Sequence, residues 1–454
     1  MIRRFFPAAP AAAALLFLLA VAPGHAQTPL VNNTLTLDDA IQRGLQFNLG
    51  VLDVREGVRQ AQGQRRASRA ALLPSVLADL TETTQQLNLA AMGFRFQSPF
   101  PDFEFPSVVG PFNQFDLRAR LSQNVFDLTA LNSYRAAGAS LKARELSAED
   151  AQDVVVAAVG GAYIQAQAAR ARVETGRAQV ETAQALLDQA QQRRIVGLAA
   201  QVDVDRSRVQ LLHQQQQLIA LQNDFAKLKI DLAQMIGTTP TDQYQLGDPL
   251  PFSPGPAVDL DTALRQAREQ RADLRAARSL VMAAAKDVTA ARAAYLPTVR
   301  VDADYGTIGP NPSDARRTFA VVGRVRVPIW QAGRIEGQIQ QAEAQLARRQ
   351  AELDDLERRV VGDVRKAVLD LAALAAQVEV AEQNLGVTRE TLELTRQRFE
   401  AGVSDSVEVV QAQESVSTAA FDHENSVFAH NLAKQSLARA LGQTAERLRE
   451  FLTP

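Results

Sequence analysis

The second half of this 454-residue chain repeats its first half. Leu37-Asp38-Asp39-Ala40 opens one helical run, and Leu260-Asp261-Thr262-Ala263 opens another. Ala40 precedes Pro74 by 34 positions, and Ala263 precedes Pro297 by the same 34. Around those prolines, Ala70-Ala71-Leu72-Leu73-Pro74-Ser75-Val76 matches Ala293-Ala294-Tyr295-Leu296-Pro297-Thr298-Val299. Each copy then changes from helical to strand period and returns to a very long helix. A repeat on this scale constrains the fold more than any local signal, because whatever unit one copy forms must be formed twice.

The N-terminus reads as a secretory signal over residues 1–26. Arg3 and Arg4 supply the positive region, Ala11 to Val21 the apolar region, and Gly24-His25-Ala26 a cleavage site before Gln27. The competing reading, a membrane anchor, needs a longer apolar run. Cysteine is absent, which excludes disulfides and a lipid-modified N-terminal cysteine. The net charge of −2 becomes −4 once the signal is removed, a near-balance that argues against a nucleic-acid partner.

Local signals divide the rest. Thr36 with Asp39 resembles a capping box at the first helix start, and Asp259 serves the second copy. Pro74 and Pro297 mark helix-to-strand junctions, because the residue before proline avoids the helical region. After Pro297, Val299, Val301, Ala303 and Tyr305 alternate with Arg300, Asp302 and Asp304. Beyond the Gly309-Pro310-Asn311-Pro312 turn, Phe319, Val321, Gly323, Val325 and Val327 alternate with Arg324 and Arg326. In the first copy Phe115, Leu117, Ala119 and Leu121 alternate with Asp116, Arg118 and Arg120, and the fainter strand before it has Val76, Ala78 and Leu80 on one face.

The strands are therefore expected at about 75–86, 115–126, 298–307 and 318–329. Their length suits tilted membrane strands. Two hairpins cannot close a barrel, and open edges cannot stand in lipid, so closure requires several chains. A soluble two-layer sheet is the bland alternative. The Phe- and Pro-rich stretch 93–115 is absent from the second copy and reads as a long loop.

Two helices are expected to be very long, from about Thr129 to Arg194 and from about Ala332 to Ala401, each about 100 Å at 1.5 Å per residue. Leu353, Leu356, Val360, Val364, Val368, Leu371, Leu374 and Val378 form a packing stripe on the second. Gly160 and Gly161 permit close approach on the first. Both helices turn at a matching site, Arg193-Arg194-Ile195-Val196-Gly197-Leu198 and Arg398-Phe399-Glu400-Ala401-Gly402-Val403, 205 positions apart. The expected divisions are a first repeat over 27–237, a connecting segment over 238–258, a second repeat over 259–442 and a tail over 443–454.

These features together resemble the TolC-like outer-membrane efflux proteins, the outer membrane factors, over about Leu35 to Gly442. The resemblance implies a mainly α fold with a transmembrane β-barrel. Four strands from each subunit of a homotrimer make one twelve-stranded barrel above a periplasmic helical tube. It implies an exit duct for small molecules, fed by a periplasmic adaptor and an inner-membrane pump, with no catalytic step and no cofactor. A type I protein-secretion channel is the alternative. Similar proteins carry an acidic residue six positions after the second-turn glycine, here Glu408, and another three further on, where Gln411 stands. A trimer would ring three Glu408 carboxylates around the axis and favour cations. Some members place an arginine two residues after that glycine; Ser404 stands there, with Asp405 beside it as a possible substitute. Gly197, Leu198, Gly402 and Val403, with Arg193 and Arg398, match the turns presented to the adaptor. The plain readings are a solvated charge for Glu408 and simple helix termination for the glycines.

Two other classes compete. An exported helical scaffold explains the long helices but not the paired strands. An exported enzyme lacks a motif: no nucleophile elbow, phosphate loop or metalloprotease signature is present. His213, His423 and His430 are not spaced for a metal with Cys, although His423 and His430 share a helix with Glu424.

Overall fold

The computed structural model describes residues 34–93, 106–239, 243–247, 251–256, 258–404, 406–444 and 451–452. The segment 1–26, Asp405, and parts of 93–115, of the connecting segment and of the tail lie outside them.

Most described residues are helical. The first copy runs β1 (Thr34–Leu35), α1 (Leu37–Phe47), α2 (Leu49–Ala70), β2 (Ser75–Asn88), β3 (Val108–Phe126), α3 (Leu128–Ile195) and α4 (Gln201–Met235). A short strand β4 (Gln245–Leu246) leads to the second copy: α5 (Leu260–Gln270), α6 (Ala272–Ala293), β5 (Thr298–Gly309), β6 (Arg316–Arg326), α7 (Arg334–Glu400) and α8 (Ser406–Leu441). The caps follow the local sequence. Thr36 Oγ1 accepts from the Asp39 amide at 3.1 Å, and an Asp259 carboxylate oxygen accepts from the Thr262 amide at 3.0 Å.

The run from Thr36 to Pro74, expected as one helix, is two. Asn48 leaves the helical region at φ −68° and ψ 127°, and its side chain caps α2 by accepting from the Gly50 amide at 2.9 Å. Arg271 makes the same break in the second copy, at φ −58° and ψ 120°. The two breaks are 223 positions apart, as are Ala40 and Ala263. Each break receives the end of a lower helix. Asn48 Nδ2 donates to the Met235 carbonyl at 3.5 Å, and Gln443 Nε2 donates to Gln270 Oε1 at 3.1 Å. Short helices therefore stand end to end, α2 with α4 and α6 with α8, beside the uninterrupted α3 and α7. The contact is close: a Cβ on Gly442 would lie 2.9 Å from the Arg271 backbone, and one on Gly237 would lie 2.5 Å from Phe47 Cβ.

Two cores flank this level. One gathers Leu35, Val51, Tyr163, Ile164, Leu232 and Ile236; the other gathers Ala263, Leu274, Val360, Val364, Leu437 and Leu441. The stripe on α7 supplies the second, with Leu353, Leu356, Val368 and Leu374 partly buried against it. The connecting segment packs firmly where it is described. β4 pairs in parallel with β1, Arg170 Nη1 donates to the Leu246 carbonyl at 2.8 Å, and Tyr244 Oη donates to the Lys229 carbonyl at 2.6 Å. Burial raises the Tyr244 phenol above its ordinary range.

Lys434 on α8 is fully buried, and its Nζ donates to Ser253 Oγ of the segment at 2.6 Å. One turn earlier the buried His430 ring packs 4.9 Å from Phe252. No ion pair among the described residues includes Lys434, so desolvation pushes its amine down to about 8.

Four strands form one antiparallel sheet in the order β2-β3-β5-β6, leaving β2 and β6 as edges. β3 begins earlier than expected. Val108 pairs with Asn88 and Val109 with Leu87, so the end of the stretch read as a loop over 93–115 is ladder. β6 stops at Arg326 rather than near 329, because Pro328 has no amide to donate.

Two stability outcomes are expected. Gly442→Ala, at φ +75° against the Arg271 backbone, should cost about 1–3 kcal/mol and lower the melting temperature. Gly57→Ala, inside α2 with open space around it, should raise it slightly. Because the native Lys434 amine titrates below an unfolded lysine, the unfolded chain binds more protons between pH 8 and 10. Stability from this residue therefore rises with pH across that window, on the order of 2 kcal/mol, and Lys434→Met should flatten the rise in melts at pH 7 and 10. Parallel pH profiles for both proteins would contradict the assignment.

Candidate functional site

The strand register sorts side chains into two faces. Val299 lies opposite Val325, Ala303 opposite Val321 and Tyr305 opposite Phe319. The same face takes Leu117, Ala119 and Leu121 of β3, with Val76, Ala78 and Leu80 of β2. Most of these side chains have nothing over them, and Val321, Phe319, Val325 and Leu80 are exposed. The other face carries Asp79, Asp116, Arg118, Arg120, Arg300, Asp302, Asp304 and Arg324. Arg118 Nε pairs with Asp116 at 2.7 Å and its Nη1 with Asp304 at 3.3 Å. Arg120 pairs with Asp79 at 3.4 Å. Charged groups thus pair with one another along much of one side of the sheet, and the other side is largely apolar. Pro74 and Pro297 stand between α2 and β2 and between α6 and β5, where each helix hands over to its strand. Just past β6, Trp330 is 84% exposed.

The two hairpin tips lie at the opposite ends of α3 and α7. Each closes with paired backbone bonds around a left-handed glycine. Gly197 sits at φ +77°, with the Leu198 amide donating to the Arg193 carbonyl at 2.7 Å and the Gly197 amide to Arg194 at 3.0 Å. Gly402 sits at φ +76°, with Val403 donating to Arg398 at 2.9 Å and Gly402 to Phe399 at 3.1 Å. A side chain in the left-handed region costs about 1–2 kcal/mol, which accounts for glycine at both. Leu198 and Val403 are left 71% and 70% exposed at the tips.

The fold brings the two tips together. The Arg193 guanidinium lies 4.2 Å from the Phe399 ring centroid, and its Nη1 donates to the Phe399 carbonyl at 2.9 Å. Arg193 and Phe399 are both half-buried, and a cation over an aromatic face contributes about 0.5–2 kcal/mol between the exposed and desolvated extremes. Glu408, in the first turn of α8, accepts from Ser404 Oγ at 2.6 Å and pairs with Arg398 at 3.6 Å. Ser404 therefore holds the carboxylate, and Arg398 partly offsets its charge. Gln411 is exposed one turn later. Asp405 lies outside the described residues. Sequence reading missed the Arg193–Phe399 bridge and the Arg398–Glu408 pair. The matched arginines four residues before each tip glycine marked the turns, but nothing local marked their partners.

The histidines do not converge. His430 is buried, whereas His423 lines a cavity of about 360 Å³ between α3, the connecting segment and α8, beside Phe252, Phe428 and Glu424. Burial raises the Glu424 carboxyl, which Thr175 partly offsets. Among the described residues no group of three or more His, Asp or Glu is placed to hold a metal ion. No described helix is long and apolar enough to cross a membrane.

Comparison with known proteins accords with this layout. The family model described as "Outer membrane efflux protein" matches residues 40–238 and 263–443, once for each copy. The chain is 29% identical over 264 residues to Protein CyaE of Bordetella pertussis, covering 57% of this chain and 56% of that protein. It is 25% identical over 392 residues to the pyoverdine export outer membrane protein OpmQ of Pseudomonas aeruginosa, covering 84% of this chain and 79% of that protein. Among solved structures, the outer membrane protein VceC from Vibrio cholerae superposes with a TM-score of 0.77 at 22% identity, covering 90% of this chain and 97% of that one. A duplicated helix–hairpin–helix chain matched across both copies is a channel subunit of the outer membrane rather than an enzyme, and it belongs to the outer membrane efflux protein family.

Proposed function

We propose that three copies of this chain join their four-stranded sheets into one twelve-stranded barrel, standing on a tube of helices. The tube carries small molecules out of the cell from an inner-membrane pump and a periplasmic adaptor. The observation that carries the reading is the sheet itself, with two unpaired edges, one apolar face and one charged face. In hydrocarbon an open edge leaves several backbone groups unsatisfied at several kcal/mol each, so such a sheet must close on copies of itself. From Phe319 to Val325 the apolar face spans about 20 Å along the strand, close to the apolar band of outer-membrane barrels. OpmQ is named for pyoverdine export, and small-molecule cargo for this chain is the corresponding assignment.

Within this reading the exposed tips at Leu198 and Val403 dock the adaptor, and Glu408, held by Ser404 and Arg398, stands at the periplasmic gate with Gln411. The wide tube does no chemistry and needs no cofactor. Energy comes from the pump.

Semi-native electrophoresis of outer-membrane fractions tests the assembly. A band near three times the mature mass, collapsing to monomer on boiling, is expected; a soluble periplasmic monomer would overturn the barrel. Gly402→Pro cannot adopt φ +76°, and Leu198→Glu places a charge on the docking tip. Both should restore drug susceptibility while the heat-sensitive trimer survives, and unchanged resistance would remove the adaptor role. In planar bilayers Glu408→Ala should lower cation preference and Arg398→Ala, by freeing the carboxylate, should raise it. Equal selectivity in the two variants would return Glu408 to an ordinary surface charge.

A further inference from the structure

The charged face of the sheet is uneven along its length. Over most of it charges cancel locally, Arg118 with Asp116 and Asp304, and Arg120 with Asp79. At the end that joins the helices they do not. The register sets Arg300 directly opposite Arg324, and Arg326 opposite Thr298 on the same face. Like charges directly opposite in a ladder repel. A single carboxylate serves both: Asp302 accepts from Arg300 Nε at 2.8 Å and pairs with Arg324 Nη1 at 3.4 Å. Arg326 makes no ion pair among the described residues. Three guanidinium groups thus stand at this end with one aspartate, which pairs with two of them, and the neighbouring positions on this face, Ser122 and Asn124, are neutral.

A ladder held for stability alone needs one arginine for Asp302. The second competes for the same carboxylate, and the third adds repulsion with no ion-pair partner among the described residues. Arg300 and Arg324 are 50% and 57% exposed, so their remaining donors are free to meet a solute. They do not face the apolar side, because Val299 and Val325, next to them in sequence, hold that side.

We propose that Arg300, Arg324 and Arg326 form a basic collar at the neck between barrel and tube that favours passage of anionic small molecules bearing carboxylate or phosphate groups. The proposal rests on the trimeric barrel above, in which three copies turn this face to the lumen and the surplus of two charges per chain becomes six around one opening. Low-dielectric walls focus such a field and raise the local concentration of the opposite charge. The planar guanidinium fork matches carboxylate and phosphate oxygens in pairs. The collar is a filter of charge sign and retains no cargo.

The chain has no cysteine, so one introduced thiol is unique. Val322 lies on the charged face opposite Asp302, and Val321 lies on the apolar face opposite Ala303. The Val322→Cys and Val321→Cys variants would be purified as heat-sensitive trimers and placed in lipid vesicles. Each would be treated with an anionic sulfonatoethyl or a cationic trimethylammonioethyl methanethiosulfonate. Taking the ratio of the two rates, relative to a free thiol, removes any change in thiolate fraction.

The expected result is a several-fold preference of the Val322→Cys variant for the anionic reagent. That preference should fall towards one when Arg326→Gln is added, and fall further with Arg324→Gln. Arg326 has no ion pair to lose, so its single variant keeps the ladder intact. A ratio of one or below, or a ratio unmoved by both substitutions, would overturn the collar. The barrel is read separately: Val321→Cys should be shielded by lipid from both reagents, and equal labelling of the two positions would overturn the barrel on which the collar rests.

Discussion

Two helices of this protein, α4 and α8, end inside its body rather than at a free surface, and each has to satisfy its last carbonyls there. The same solution is used each time. A glycine in the left-handed region lets its own amide and the next one fold back onto the helix, as at Gly237, where the Thr238 amide reaches the Ala233 carbonyl, and at Gly442, where Gln443 reaches Ala438. Because these ends are compact, a second helix can begin almost in contact with them. α4 and α8 then abut the breaks at Asn48 and Arg271, and two short helices do the work of one long one beside α3 and α7. The paired length of the shaft depends on these joints. So does the level of the connecting segment, which is tied to α8 next to the second joint through Lys434 and Ser253.

At the other end the constraint is solvent. The charged face of the sheet pairs its own groups across strands, and the apolar face leaves Phe319, Val321 and Val325 bare. A sheet of this kind is stable only where something apolar covers one side and something closes its edges. Hydrocarbon and two further copies meet both needs at once under the trimeric reading. The helices below need neither, which is why one chain can hold a water-compatible shaft and a lipid-compatible hairpin pair, with each strand joined to its helix by a short connection.

Much of this was legible in the residues. The repeat located both helix–strand junctions, alternation at Val299 to Tyr305 named the apolar face, and the matched Arg-x-x-x-Gly turns located both tips. Three features were not legible. The breaks at Asn48 and Arg271 lie in sequence with good helical periodicity, and only the abutting ends of α4 and α8 give them a reason. The early start of β3 at Val108 depends on partners in β2, which no local pattern reveals. The buried Lys434 looks like any surface lysine on a helix until the connecting segment is laid over it.

The hairpin tips show the division most clearly. Sequence alone determined that the chain is two copies of one unit, that each copy passes from helix to strand at a proline, and that each long helix ends at a glycine. These are local properties, set by backbone sterics and by the period at which apolar side chains recur. Tertiary structure decided which copies of those signals meet. It set Arg193 over Phe399, put Glu408 between Ser404 and Arg398, and placed Arg300 against Arg324 around one aspartate. Those pairings join residues up to 206 positions apart, and a charge or a ring carries no mark of its partner until packing and strand register bring the two together.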